Sequence, residues 1–172
     1  MHEFRLARGL FAVGFLATAA LLAFALYLEH VEQLEPCPLC IVQRVVVIAL
    51  GLWCGIAALH GPGATGVRVY AAIAGVIALV GAGVAGRHVW LQSLPPDQVP
   101  ACGPGLSFMI EYFPIVDVAR MVFTGSGECA EIDWTFLGLS IPAWTLIWFA
   151  GFAVIAVVLL LRPALGTGRP RT

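Results

Sequence analysis

The sequence predicts an all-α integral membrane protein: a four-helix bundle with one long outer loop that carries a short surface helix. Three observations predict it. Of the 172 residues, 60% are hydrophobic and 11% charged, a balance that a soluble domain of this size does not need. Four apolar runs, 10–28, 41–59, 69–86 and 143–161, are each long enough to cross about 30 Å of hydrocarbon as a helix. The arginines are also asymmetric. Arg5, Arg8, Arg68, Arg162, Arg169 and Arg171 fall on one side of such a chain, while the loops on the other side are acidic and carry only Arg87 and Arg120. Both termini are therefore expected in the cytoplasm and both acidic loops outside. The net charge of −1 gives no reason to expect a nucleic-acid partner.

Met1 to Gly9 is short and basic, and the first span follows. Ala17-Thr18-Ala19 and Ala23-Phe24-Ala25 have the spacing of a signal-peptide cleavage site, but the apolar run continues past both, so a retained helix is expected. Residues 29–40 form the first outer loop, with Glu29, Glu32 and Glu35. The second span, 41–59, is closed by the turn signal Gly61-Pro62-Gly63. Small residues dominate the third span, 69–86, and would let helices approach closely. Arg87, His88 and Trp90 stand at its end, where interfacial anchors belong.

Residues 87–142 form the one long extramembrane segment, with turns at Pro95-Pro96 and Gly103-Pro104-Gly105. From Pro114 to Thr124 a helical period places Ile115, Val118, Ala119 and Val122 on one face and Asp117, Arg120 and Thr124 on the other. That pattern suits a helix lying on the bilayer surface, or one packed against its own loop. The fourth span, 143–161, leads into a Pro/Gly-containing tail, and the whole chain reads as a single membrane domain.

The chemistry gathers at Cys37-Pro38-Leu39-Cys40 and at Arg44. In a helix starting here, Cys37, Cys40 and Arg44 fall on one face, with the sulfurs at the positive end of the helix and a fixed cation one turn inside. Such a site favours a thiolate. Cys37, Cys40, Cys102 and Cys129 all belong to the outer side and permit three pairings. A structural staple across the long loop is one use of Cys102 and Cys129. The C-x-x-C pair closes too small a loop to stabilise much and is better suited to exchanging electrons. Structural zinc usually takes a second closely spaced pair, which Cys102 and Cys129 do not provide, so no metal is expected. Cys54, in mid-span, reads as a small buried hydrophobe. Arg44 suits either a snorkelling anchor or a clamp for an anion or polar headgroup beside Cys40. His88 could touch a site at the outer interface or be a plain interfacial histidine. No two histidines are placed as paired haem ligands.

These residues, in this order, resemble the disulfide bond formation protein B (DsbB) family along nearly the whole chain. The resemblance is carried by Cys-Pro-Leu-Cys-Ile-Val-Gln-Arg at 37–44, Arg-His-Val-Trp-Leu-Gln at 87–92 and Cys102. Gly-Glu-Cys-Ala at 127–130 and Trp-Thr-Phe-Leu-Gly-Leu-Ser-Ile-Pro-Ala-Trp at 134–144 complete it. It implies an enzyme of the bacterial inner membrane that reoxidises a periplasmic DsbA-like dithiol oxidase and passes the electrons to the membrane quinone pool, ubiquinone or menaquinone. It further implies that Cys102 and Cys129 are the loop disulfide, with Cys102 forming the mixed disulfide. Cys37 and Cys40 would be the pair beside the quinone, Cys40 contacting the ring and Arg44 polarising a quinone oxygen, with His88 nearby. Cys37 would exchange with Cys129. A vitamin K epoxide reductase-like enzyme is the rival, but there the loop pair precedes the C-x-x-C, whereas Cys37 and Cys40 come first here. A non-enzymatic membrane protein with structural disulfides is the other.

Overall fold

The computed structural model describes residues 2–101, 103 and 106–161; Cys102 and the arginines of the tail, Arg162, Arg169 and Arg171, lie outside them. Four long helices enclose the four apolar runs: α1 (His2–His30), α2 (Pro38–His60), α3 (Ala64–Gln92) and α6 (Ile141–Leu161). Between α3 and α6 come two short helices, α4 (Leu106–Tyr112) and α5 (Ile115–Thr124), a single 3-10 turn at Gly127–Cys129, and a hairpin of β1 (Thr135–Phe136) and β2 (Leu139–Ser140). The molecule is an all-α membrane bundle.

The long helices are apolar all round, so periodicity alone does not say which face is inside. Leu16, Val76, Leu79 and Val154 point outwards, 61–63% exposed, as side chains in lipid do. Close approach selects the inner face instead. On α3 the buried positions include Val67, Ala71, Ala74, Ala78, Gly81 and Ala85, at alternating steps of three and four, and the next step is His88. This stripe of small residues lets α6 come near. A Cβ placed on Gly81 would lie 2.5 Å from ring carbons of the buried Phe149. α1 packs on α2, and α2 on α3. Backbone groups at the helix ends are satisfied locally. Gly61, at a left-handed φ of 58°, donates to Ala57 O, and Arg8 Nε donates to Ala58 O at the C-terminal end of α2.

A second apolar cluster closes the Cys37 end of the bundle: Leu39, Val84 and Leu91 from the long helices, with Met109, Val118, Val122 and Cys129 from the loop. The loop is therefore folded over the helix ends. α5 buries Val118 and Val122, but Ile115 and Ala119, expected on the same face, are exposed. The buried stripe is narrow because α5 touches the bundle along one line only. Ile115, Val116 and Phe123 remain free to meet a bilayer surface. Arg87 is more than an interfacial anchor. Its Nε and Nη2 donate to Phe123 O and Thr124 O at 3.1 and 2.9 Å, capping α5, and its guanidinium lies 4.1 Å from the Trp90 ring centroid.

The Gly81–Phe149 contact yields a paired test. Gly81→Ala should lower the melting temperature of the detergent-solubilised protein, since overpacking costs about 1–3 kcal/mol and outweighs the helix propensity gained. Gly83→Ala has open space around it and should be neutral or slightly stabilising. Equal effects of the two would contradict the packing described.

Candidate functional site: the sulfur cluster at the end of the bundle

α2 begins the way a proline-initiated helix does. Pro38 occupies the first turn, where its missing N–H is no loss, and Cys37 is the N-cap, extended at φ −64° and ψ 162°. The Cys37 sulfur takes the part a serine oxygen plays elsewhere: the backbone N–H of Cys40 donates to it at 3.4 Å. That turn also brings the two sulfurs to 3.1 Å, as free thiols. The capping geometry and the C-x-x-C spacing are thus one structural fact.

His88 reaches the cluster from α3. Its Nε2 is 3.8 Å from the Cys37 sulfur, and its Nδ1 is 3.0 Å from Gln43 Nε2. Both side chains are buried, His88 to 2% exposure. An amide nitrogen only donates, so Nδ1 is the acceptor and Nε2 carries the ring proton toward the sulfur. Cys129 comes from the 3-10 turn and is fully buried. Its sulfur, that of Cys37 and a ring nitrogen of His88 all lie within 4.8 Å of one another. The Cys37 sulfur facing it, and then burial, push the Cys129 thiol well above its ordinary range.

On the other side of Cys40 lies a cavity of about 1540 Å³, between α1, α2, α6 and the hairpin. Cys37, Cys40, Arg44 and His88 line it together with the acids Glu29, Glu35, Glu128, Glu131 and Asp133, and Trp134, Phe136, Trp144 and Trp148 supply aromatic wall. The hairpin shapes that wall. Leu137 and Gly138, with φ of 52° and 78°, make a two-residue turn, and Trp144 Nε1 donates to Phe136 O at 3.0 Å. Arg44 is ion-paired with Glu29 from the end of α1, both partly buried.

Of the residues expected from sequence, Cys37, Cys40, Arg44, His88 and Cys129 meet at this end of the bundle; Cys102 lies outside the described residues. Sequence reasoning missed Gln43 and Glu29. Gln43 carries a weak signal, an amide inside an apolar run next to Arg44. The small-residue stripe of α3 extended by one step would have placed His88 inside.

Comparison with known proteins decides the lineage. The chain matches the family described as Disulfide bond formation protein DsbB over residues 7–159. It belongs to the DsbB family. The protein named Disulfide bond formation protein B of Nitrosococcus oceani is 53% identical over 162 residues, 94% of this chain and 96% of that one. Its namesake from Stutzerimonas stutzeri is 54% identical over 155 residues, 90% and 95% of the two chains. That of Hahella chejuensis is 55% identical over 148 residues, 86% and 90%. As a DsbB family member this is an integral membrane oxidoreductase of disulfide bond formation.

The Cys37 sulfur facing Cys129, together with its burial, has a measurable consequence. A raised thiol pKa means that the native state holds the proton more tightly than the unfolded chain. The associated stability is present below the unfolded value, about 8.5, and is lost as pH rises above it. The reduced protein should lose stability between pH 8 and 10 faster than Cys129→Ala, by up to about 1.4 kcal/mol per pH unit. Parallel melting curves for the two proteins would remove this environment for Cys129.

Proposed function

We propose that the protein is a protein-dithiol:quinone oxidoreductase of the bacterial inner membrane, with both termini cytoplasmic. It reoxidises a periplasmic thioredoxin-like oxidase of the DsbA type and delivers the electrons to the quinone pool. One observation carries this reading. Cys37 stands between Cys129 on the loop side and Cys40 on the cavity side, so a single sulfur can exchange with both. The cavity suits a quinone: aromatic and aliphatic walls for a ring and apolar tail, and the Arg44 guanidinium for a carbonyl oxygen. Arg44, Cys40 and His88 would hold the ring, ubiquinone or menaquinone. When bound, a quinone supplies the terminal acceptor for two electrons and two protons.

The protein's own sulfurs do the rest. A partner thiolate attacks Cys102 of a Cys102–Cys129 disulfide, forming a mixed disulfide and releasing Cys129 as thiolate. The partner's second thiol displaces Cys102, which leaves the partner oxidised and the loop pair reduced. Cys129 then attacks Cys37 of a Cys37–Cys40 disulfide, and Cys40 leaves as thiolate. Cys102 attacks Cys129, which restores the loop disulfide and releases Cys37. Two electrons have moved from the loop pair to Cys37 and Cys40, with sulfur the only atom attacked. His88 Nε2–H faces the Cys37 sulfur and can stabilise the charge it gains. Glu29 holds Arg44 by one of its nitrogens, leaving other N–H donors for a ligand oxygen.

Two substitutions separate the halves of this scheme. Cys102→Ser should abolish the mixed disulfide with the partner, while Cys37 and Cys40 stay oxidisable by added quinone. Cys40→Ser should block quinone reduction, while a loop disulfide, once formed, still traps partner. Full turnover by Cys102→Ser would remove the assignment of that sulfur.

Arg44 is tested by steady-state quinone reduction with reduced partner as donor. Arg44→Lys keeps a charge but loses the planar fork, and should raise the KM for quinone; Arg44→Met should raise it further, by about tenfold or more. Exchange between partner and loop pair should stay near normal in both. Unchanged quinone kinetics in Arg44→Met would return Arg44 to the part of an interfacial anchor.

A further inference from the structure

We propose that the fully reduced protein binds one zinc-like cation through Cys37, His88 and Cys129, with the fourth position open to a water or other exogenous ligand. The three ligand atoms already lie within 4.8 Å of one another. A tetrahedral site with Zn–S of about 2.3 Å and Zn–N of about 2.0 Å needs ligand-to-ligand edges of roughly 3.5–3.8 Å. The Cys37–His88 edge is 3.8 Å. Cys129 has to close on the other two by at most about 1 Å. The ligands come from the N-cap of α2, from α3 and from the 3-10 turn. Metal binding would therefore tie the loop to the bundle through the Cys129–metal bond.

The surroundings suit a metal. His88 and Cys129 are shielded from water, and Cys37 and Cys40 border the cavity, which gives an ion a way in. Ligation through Nε2 moves the ring proton to Nδ1. Gln43 can follow by turning its amide over, presenting its oxygen to Nδ1–H from the same place. A histidine ligand oriented by a hydrogen bond on its other nitrogen is the usual arrangement around zinc.

The site exists only in the reduced protein, because any disulfide at Cys37 or Cys129 consumes its ligands. Zinc would thus capture the protein when all four sulfurs are reduced and keep them from exchange. That inhibitory consequence rests on the proposed function; the site itself requires only reduced thiols.

The experiment is a Co2+ titration of the full-length protein in detergent, freed of quinone, reduced with a phosphine and kept oxygen-free. The expected result is one equivalent bound, with thiolate charge-transfer and tetrahedral d–d bands that Zn2+ abolishes. The oxidised protein should give none. Cys129→Ser and His88→Ala should each weaken binding at least tenfold, with His88→Gln used if the alanine variant elutes aggregated. Cys54→Ser and Cys102→Ser should bind as the parent does. Absence of bands in the reduced parent would overturn the proposal. Bands unchanged by Cys129→Ser or by the His88 variants, or lost in Cys102→Ser, would overturn the ligand set. No quinone or partner is present in this titration, so its failure is separable from failure of the proposed turnover. A chain that binds Co2+ yet reduces no quinone loses only the function, and a chain that turns over without binding Co2+ loses only the metal site.

Discussion

Cys37 caps the helix and, in the proposed scheme, carries the exchange, and the geometry of the whole site depends on that double use. A helix beginning at Pro38 leaves first-turn N–H groups without intrahelical partners, and the Cys37 sulfur accepts one of them from Cys40. That bond fixes the sulfur over the helix N-terminus, where the aligned peptide dipoles favour negative charge. It also fixes its neighbours: Cys40 one turn along, His88 across the α2–α3 contact, and Cys129 on the loop packed over both. A serine at this position would cap the helix equally well. It could not exchange.

The polar groups of the site are disposed as a membrane protein must dispose them. Among the described residues no buried side-chain nitrogen or oxygen lacks a partner. His88 and Gln43 satisfy each other, and Arg44 is matched by Glu29 from a different helix. A lone guanidinium this far along α2 would cost a few kcal/mol, and the pair offsets part of that. Because Glu29 lies in the last turn of α1 and Arg44 at the end of the second turn of α2, the ion pair also sets how the two helices meet beside the cavity. Charge complementarity and cavity shape are therefore not independent here.

How much of this was legible in the sequence depended on range. The four apolar runs and the arginine asymmetry could be read because each is a property of a continuous segment. The C-x-x-C motif with Arg44 could be read because one helix turn relates its members. Cys129 beside Cys37 could not be derived from spacing, since the contact exists only once the loop has folded over Leu39 and Leu91. Glu29 looked like one acid among several in a short loop; its distinction is a tertiary ion pair. The hairpin escaped because its turn, Leu137-Gly138, puts a leucine at positive φ where asparagine or aspartate would have announced it. His88 is the instructive case. Read locally it closes an apolar run as an interfacial residue, but read along the stripe of alanines and glycine on α3 it points inward.

The fifth cysteine shows what sorts the sulfurs. Cys54 lies on the same helix as Cys40, but 14 positions further, roughly 21 Å along the axis. It is buried beside Gly14 of α1, which Phe152 of α6 also approaches. Thiol–disulfide exchange requires a thiolate to reach a sulfur along the line of the bond it breaks. Cys54 has neither the neighbour nor the room. Its absence from the proposed exchange therefore follows from depth in the bundle and not from the residue's own chemistry. By the same argument, the sulfurs proposed to exchange sit at a helix end, where the folded loop brings Cys129 within 4.8 Å of Cys37.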